Sequence, residues 1–157
     1  MDNESENNQT RILRVPGGAW RLARLGGAGE IPSPSRIVCG GYDGVVRAVD
    51  PGSGEVAWER PVGGFPFALA VNQAEGPKLG VASADGHFYV FGPDGAKEWV
   101  FDTGLPLYNA VCGEVRSGSG PDWIIGGVDR LVRILDSGGR EVADYAVRRV
   151  VHRLAVA

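Results

Sequence analysis

From about residue 17 onward, short runs of Val, Ile, Leu, Ala and aromatic residues alternate with turns of Gly, Asp, Pro and Ser. Apolar positions do not recur at the three- and four-residue spacing of a helix, so the pattern predicts short strands joined by tight turns. Within one such run, Val45, Arg47 and Val49 alternate with Val46 and Ala48, giving the strand two chemically different faces. Asp43-Gly44 and Asp85-Gly86 each separate two apolar runs. Such a dipeptide signals a hairpin, because the turn needs positive φ. The next turn in each unit, built from Asp50-Pro-Gly-Ser-Gly, Gly92-Pro-Asp-Gly or Asp136-Ser-Gly-Gly, again uses residues that tolerate or pre-set turn geometry.

These strands and turns repeat. Segments 37–58, 79–99 and 123–144 align with one another, with Asp43, Asp85 and Asp129 falling 42 and 44 residues apart. That period suits a propeller blade. An apolar strand precedes each unit, led by Trp20, Phe67 and Tyr108, and a fourth copy begins at His152. The expected fold is therefore all-β: a partial β-propeller of three four-stranded blades (about 17–62, 63–104 and 105–148) plus the first strand of a fourth at 149–157, thirteen strands in all. Residues 1–16, acidic and Asn-rich at their start, are expected to form a disordered tail.

The repeated residues have structural roles in this reading. Asp43, Gly44, Asp85, Gly86 and Asp129 hold turns, the carboxylates bonding to nearby backbone N–H groups. Trp58 and Trp99 close the fourth strand of their units and, with Trp20, Phe67 and Tyr108, are expected in the core between blades. The third unit aligns Asp144 with those tryptophans, and a one-residue bulge would bring Tyr145 to the same place. No catalytic, cofactor-binding or metal-ligating residue is expected. His87 and His152 lack a neighbouring acid–nucleophile pair. The Gly40-Gly41 and Gly126-Gly127 pairs lack the following helix and Lys of a phosphate loop.

Composition narrows the picture. The 25 glycines and 10 prolines fit many tight turns, and 43% hydrophobic residues suffice for a core. A formal charge of −3 gives no pull toward nucleic acid. No run is long and apolar enough to span a membrane, and the acidic start is unlike a secretory leader, so a cytoplasmic chain is expected. Cys39 and Cys112 are distant and lie in apolar runs, as small buried hydrophobes do. One charged feature stands out: Arg140, Arg148, Arg149 and Arg153, with Arg130 and Arg133 upstream, make the C-terminal third basic and form a candidate docking patch for an acidic partner.

The stretch Gly-Gly-Tyr-Asp43-Gly-Val-Val-Arg-Ala-Val-Asp50-Pro-Gly-Ser-Gly-Glu-Val-Ala-Trp58 resembles the propeller repeats of the quinoprotein-dehydrogenase-like superfamily, which includes outer-membrane assembly lipoproteins and WD40-like proteins. The connections also resemble FG-GAP-type repeats. The resemblance implies repeat class more than function. The chain departs from the dehydrogenases in lacking an adjacent-cysteine pair, and from calcium-holding FG-GAP loops in having at most two carboxylates in 25–30, 72–77 and 114–122. No cofactor is expected. The expected function is a non-catalytic protein-interaction or scaffolding module with a protein partner. The alternative is a fragment of a quinone- or metal-dependent dehydrogenase, or of a polysaccharide-active propeller protein, whose site needs further blades. Identical chains could also complete the ring by association.

Overall fold

The computed structural model describes residues 12, 14–27, 35–74 and 76–156. Most of the expected N-terminal tail, and Ala157, lie outside the described residues. Twelve strands form three separate four-stranded antiparallel sheets. The first blade comprises β1 (Arg21–Leu25), β2 (Arg36–Gly40), β3 (Val45–Val49) and β4 (Val56–Pro61). The second comprises β5 (Pro66–Asn72), β6 (Lys78–Ser83), β7 (His87–Phe91) and β8 (Lys97–Asp102). The third comprises β9 (Leu107–Gly113), β10 (Asp122–Gly127), β11 (Leu131–Leu135) and β12 (Glu141–Ala146). Each sheet is a simple meander in chain order. The arrangement is a partial β-propeller.

The Asp turns build this regularity. Asp43, Asp85 and Asp129 each accept a hydrogen bond from the backbone N–H two residues on, at Val45, His87 and Leu131. Gly44 and Gly86 adopt φ of +74° and +90°. In the third blade Arg130 takes that place with φ 62°, a left-handed conformation found at no other non-glycine among the described residues. The segment that leaves each blade then crosses back over its turn, with the same bond each time: Val62 N–H to Gly44 C=O, Thr103 N–H to Gly86 C=O, and Val147 N–H to Arg130 C=O, each 2.9 Å.

The core lies between blades. Val38, Val46, Ala48 and Trp58 of the first blade pack on Leu79, Val81 and Phe91 of the second. Ala68, Ala70, Ala82, Phe88 and Val90 on the other side of the second blade pack on Leu107, Trp123, Ile125 and Leu135 of the third. Two tryptophans fasten these interfaces from the outer strands. The Trp58 indole N–H donates to Pro93 C=O at 2.9 Å, and Trp99 donates to Ser137 C=O at 3.3 Å. Each ring covers a glycine of the next blade's second turn, Gly95 (φ +78°) or Gly139 (φ +86°).

Two expectations need correction. The position equivalent to Trp58 and Trp99 in the third blade is Ala143, not Tyr145: Ala48 pairs with Trp58, Val90 with Trp99 and Ile134 with Ala143. The register shift that Tyr145 would have needed occurs in all three blades alike, while the first blade's turn is longer, closing between Asp50 and Glu55 where the third closes between Asp136 and Arg140. Segment 150–156 is the other case. It is extended but belongs to no ladder, so the described residues contain twelve strands rather than thirteen. The segment nonetheless lies along β9, Val151 against Gly126 at one end and Val156 against Gly113 at the other.

Candidate binding surface across the inner strands

The innermost strands of the second and third blades each carry one residue too many at the end nearest the Asp turns. Pro66 pairs with Ser83 and Ala68 with Ala82, which leaves Phe67 unpaired between them. Leu107 pairs with Gly127 and Asn109 with Gly126, which leaves Tyr108 likewise. In the first blade Trp20 and Arg21 both face Gly40: the Trp20 N–H donates to Gly40 C=O at 2.8 Å and Arg21 is the register partner. A bulge of this kind bends the strand and re-aims the extra side chain. The rings thereby leave the ladder and meet one another across the blades.

They form a continuous row. Trp20 contacts Phe65 at 5.6 Å between centroids, Phe65 contacts Phe67 at 5.0 Å, and Phe67 contacts Tyr108 at 4.9 Å. Tyr108 stacks on His152 at 5.4 Å with the rings 7° from parallel. Tyr42 flanks the first end, 5.8 Å from Trp20 and 5.7 Å from Phe65. These separations are those of favourable aromatic pairs. Trp20, Phe67 and Tyr108 are therefore not core residues as the sequence suggested. Trp20 is 42% exposed, and Phe67 and Tyr108 are half-buried, because the bulged position points where no further layer of the fold covers it. Trp58 is buried, and Trp99 is half-buried against the core.

Arg21 is fixed beside the row. Its Nε donates to Phe67 C=O at 2.8 Å and its guanidinium lies 5.2 Å from the Trp20 ring centre. Asn109, in the corresponding place of the third blade, donates through its side-chain amide to His152 C=O at 3.1 Å. His152 thus stands against Tyr108 as Tyr108 stands against Phe67. Arg21, Phe67, Tyr108 and His152 line a surface cavity of about 290 Å³.

The acidic turn residues are occupied. Asp43 takes both guanidinium nitrogens of Arg47, which also reaches Glu59 at 3.2 Å. Asp129 pairs with Arg133, which reaches Glu141 at 3.1 Å. In the second blade Tyr89 replaces the arginine and donates to Asp85 at 2.5 Å. Hydrogen bonds from Arg47 hold the Asp43 carboxyl below the usual carboxylate range. Partial burial acts to raise Asp85, but the Tyr89 hydroxyl and His87 N–H outweigh it and leave the group lowered. His87 Nδ1 lies 3.4 Å from Asp85.

The basic patch read from the sequence divides. Val147 and Val151 bond to the Arg130 and Gly127 carbonyls, which places Arg148 and Arg149 at the ring-bearing end of the third blade beside Arg130, with Arg153 next to His152. All four are exposed. Arg140 is at the opposite end, in the turn between β11 and β12, where its Nε binds Asp136 at 3.1 Å. An antiparallel meander puts alternate turns at opposite ends of the blade, so proximity in sequence misplaced it. Neither thiol is activated: burial raises Cys39, and raises Cys112 to about 11. Asp122 in the 114–122 loop is ion-paired with Arg116 at 2.6 Å. Of the other two loops considered for calcium, Glu30 and Glu75 lie outside the described residues.

Comparison with known proteins decides the family. The lambda-carrageenase beta-propeller domain matches residues 36–150. The chain belongs to that family. Among solved structures, it is similar to BBS1N in complex with ARL6DN, with a TM-score of 0.69 and 18% identity over 88% of this chain and 43% of that one. It is also similar to BamB from Moraxella catarrhalis, with a TM-score of 0.60 and 14% identity over 83% of this chain and 38% of that one. Both likenesses agree with the expected propeller repeats. The chain spans less than half the length of these structures. No curated protein matches it in sequence.

Proposed function

We propose that this propeller segment is a non-catalytic interaction module whose docking surface is the aromatic row, and that its ligand is a protein. The observation that carries the reading is the pair of bulges at Phe67 and Tyr108, joined by Trp20 at the equivalent place. Two blades give up a ladder position to turn an aromatic ring outward, and bulges are favoured where a side chain must be re-aimed. Exposed aromatic residues with a fixed arginine are the usual anchors of protein interfaces.

The family name favours a second reading, in which the row binds a polysaccharide. The ring geometry favours the first. Sugar binding by stacking needs open ring faces, whereas Trp20–Phe65, Phe65–Phe67 and Phe67–Tyr108 are edge-to-face at 63°, 63° and 86°. The face-to-face pair, Tyr108 and His152, spends one face of each ring on the other. Corrugated rings of this kind suit branched side chains better than flat sugar rings.

A photo-crosslinking residue in place of Tyr108 tests the reading against one in place of Glu98, on the outer strand β8. Discrete protein adducts from position 108 alone are expected. Adducts of equal yield at both positions, or none at 108, would overturn it, and adducts to glycan would favour the second reading.

A further inference from the structure

We infer that the partner presents an acidic segment, with its carboxylates on the arginines of the ring-bearing end and an apolar side chain in the cavity lined by Arg21, Phe67, Tyr108 and His152. This rests on the reading of the aromatic row as a protein-docking surface and names the chemistry of what docks there.

Charge distribution carries it. The chain as a whole is acidic, at −3, so an excess of cations on one end is local. Among the described residues, Arg36, Arg47, Arg116, Arg133 and Arg140 are bound by carboxylates. Arg130, Arg148, Arg149 and Arg153 have no such partner, and all four lie at the end of the third blade that carries Tyr108 and His152. The acidic turn residues of the same end, Asp43, Asp85 and Asp129, are engaged by Arg47, Tyr89 and Arg133. The four unpaired arginines beside Tyr108 and His152 give that corner of the surface a local excess of positive charge, and complementary potential steers association and fixes register.

Two of the cations are placed at a cost to the fold or are held rigid. Arg21 has its Nε spent on Phe67 C=O and its plane set against Trp20, which leaves the terminal nitrogens aimed by a fixed frame. A carboxylate accepts from such a fork in a bidentate way. Arg130 occupies the left-handed position that the other two blades give to Gly44 and Gly86. An L side chain is strained there, and strain kept at one repeat while its equivalents avoid it points to use of the side chain.

The probe is a fluorescein-labelled peptide alternating Glu and Leu, titrated with the full chain by fluorescence anisotropy. We expect saturable binding that weakens as salt rises, since exposed charges are screened. Arg21→Gln should weaken binding about tenfold or more, and Arg148→Gln with Arg149→Gln should weaken it and flatten the salt dependence. Arg130→Gly should weaken binding while raising the melting temperature, which a merely structural residue would not do. Arg140→Gln, at the far end, should leave affinity unchanged. Equal affinity for a Glu–Ser peptide would overturn the apolar anchor, and no binding by the wild-type chain would overturn the inference. Tight binding of sulfated dextran, insensitive to Arg21→Gln, with no peptide binding, would reduce the surface to an unspecific anion attractor. If the peptide fails while position 108 still crosslinks to protein, the acidic partner is wrong and the docking surface stands. If both fail, both are wrong.

Discussion

Trp58 in the first blade donates its indole N–H to the backbone carbonyl of Pro93 in the second. Arg60, two residues on along the same strand, adds a bond to Gly95 C=O at 2.8 Å. The outer edge of one sheet is thereby tied to a turn of the next by both a ring and a cation, while the core behind it stays apolar.

Trp58 should be the more costly of the two interblade tryptophans to remove, being the more buried and having the shorter bond. Trp58→Ala should destabilise by about 3–5 kcal/mol, and Trp58→Phe, which keeps a ring but loses the donor, by roughly 1–3 kcal/mol. Urea unfolding followed by circular dichroism measures both. Trp99→Ala should cost less than Trp58→Ala.

Gly95 and Gly139 lie under those rings in positive φ. A Cβ at either would stand 2.6 Å or 2.7 Å from the tryptophan and would strain the backbone as well. Gly95→Ala should therefore cost more than about 1 kcal/mol. In a double-mutant cycle the two changes should be non-additive, since Trp58→Ala removes the clash but not the backbone strain.

Acid should weaken the first blade through Asp43. Its folded pKa is depressed, chiefly by hydrogen bonds from Arg47, so the stability it contributes is present above the unfolded carboxylate value, about 3.9, and is lost as pH falls through the lower folded value. Arg47→Gln should lower stability at neutral pH and reduce the loss on acidification from neutral pH to below the carboxylate range. The slope of unfolding free energy against pH is the readout.

The thiols should resist alkylation in the folded chain. Cys39 is buried, and Cys112 is pushed up to about 11, so little thiolate exists at neutral pH. Iodoacetamide labelling followed by mass spectrometry should be slow natively and fast in urea. Rapid native labelling of Cys112 would contradict its half-buried placement on β9.

Strand order, turn positions and the identity of the blades were legible because Asp-Gly, apolar alternation and period are local signals. The alignment of Trp20, Phe67, Tyr108 and His152 was legible too, but its meaning was not. An aromatic residue on an inner strand reads as core unless the bulge that turns it outward is visible, and a bulge depends on the partner strand's register. Arg21 is harder to read for a related reason: the second and third units carry Ala68 and Asn109 at its place, and only Arg153 repeats it. Arg140 was grouped with Arg148 by sequence distance, which an up-and-down meander defeats. Ala143 is hidden by the longer turn of the first blade, which displaces Trp58 by one residue relative to the shorter turn of the third.

Ala143 has a mechanical consequence. Blades in series share load through their interfaces, each coupled mainly to its neighbours. The first two blades each reach forward with an indole ring and a backbone bond, whereas the third offers a methyl group at that point. Whatever packs onto the third blade's outer face meets a joint without that clasp, so under tension the seam beyond the third blade is where separation would begin, before the two seams that the tryptophans fasten.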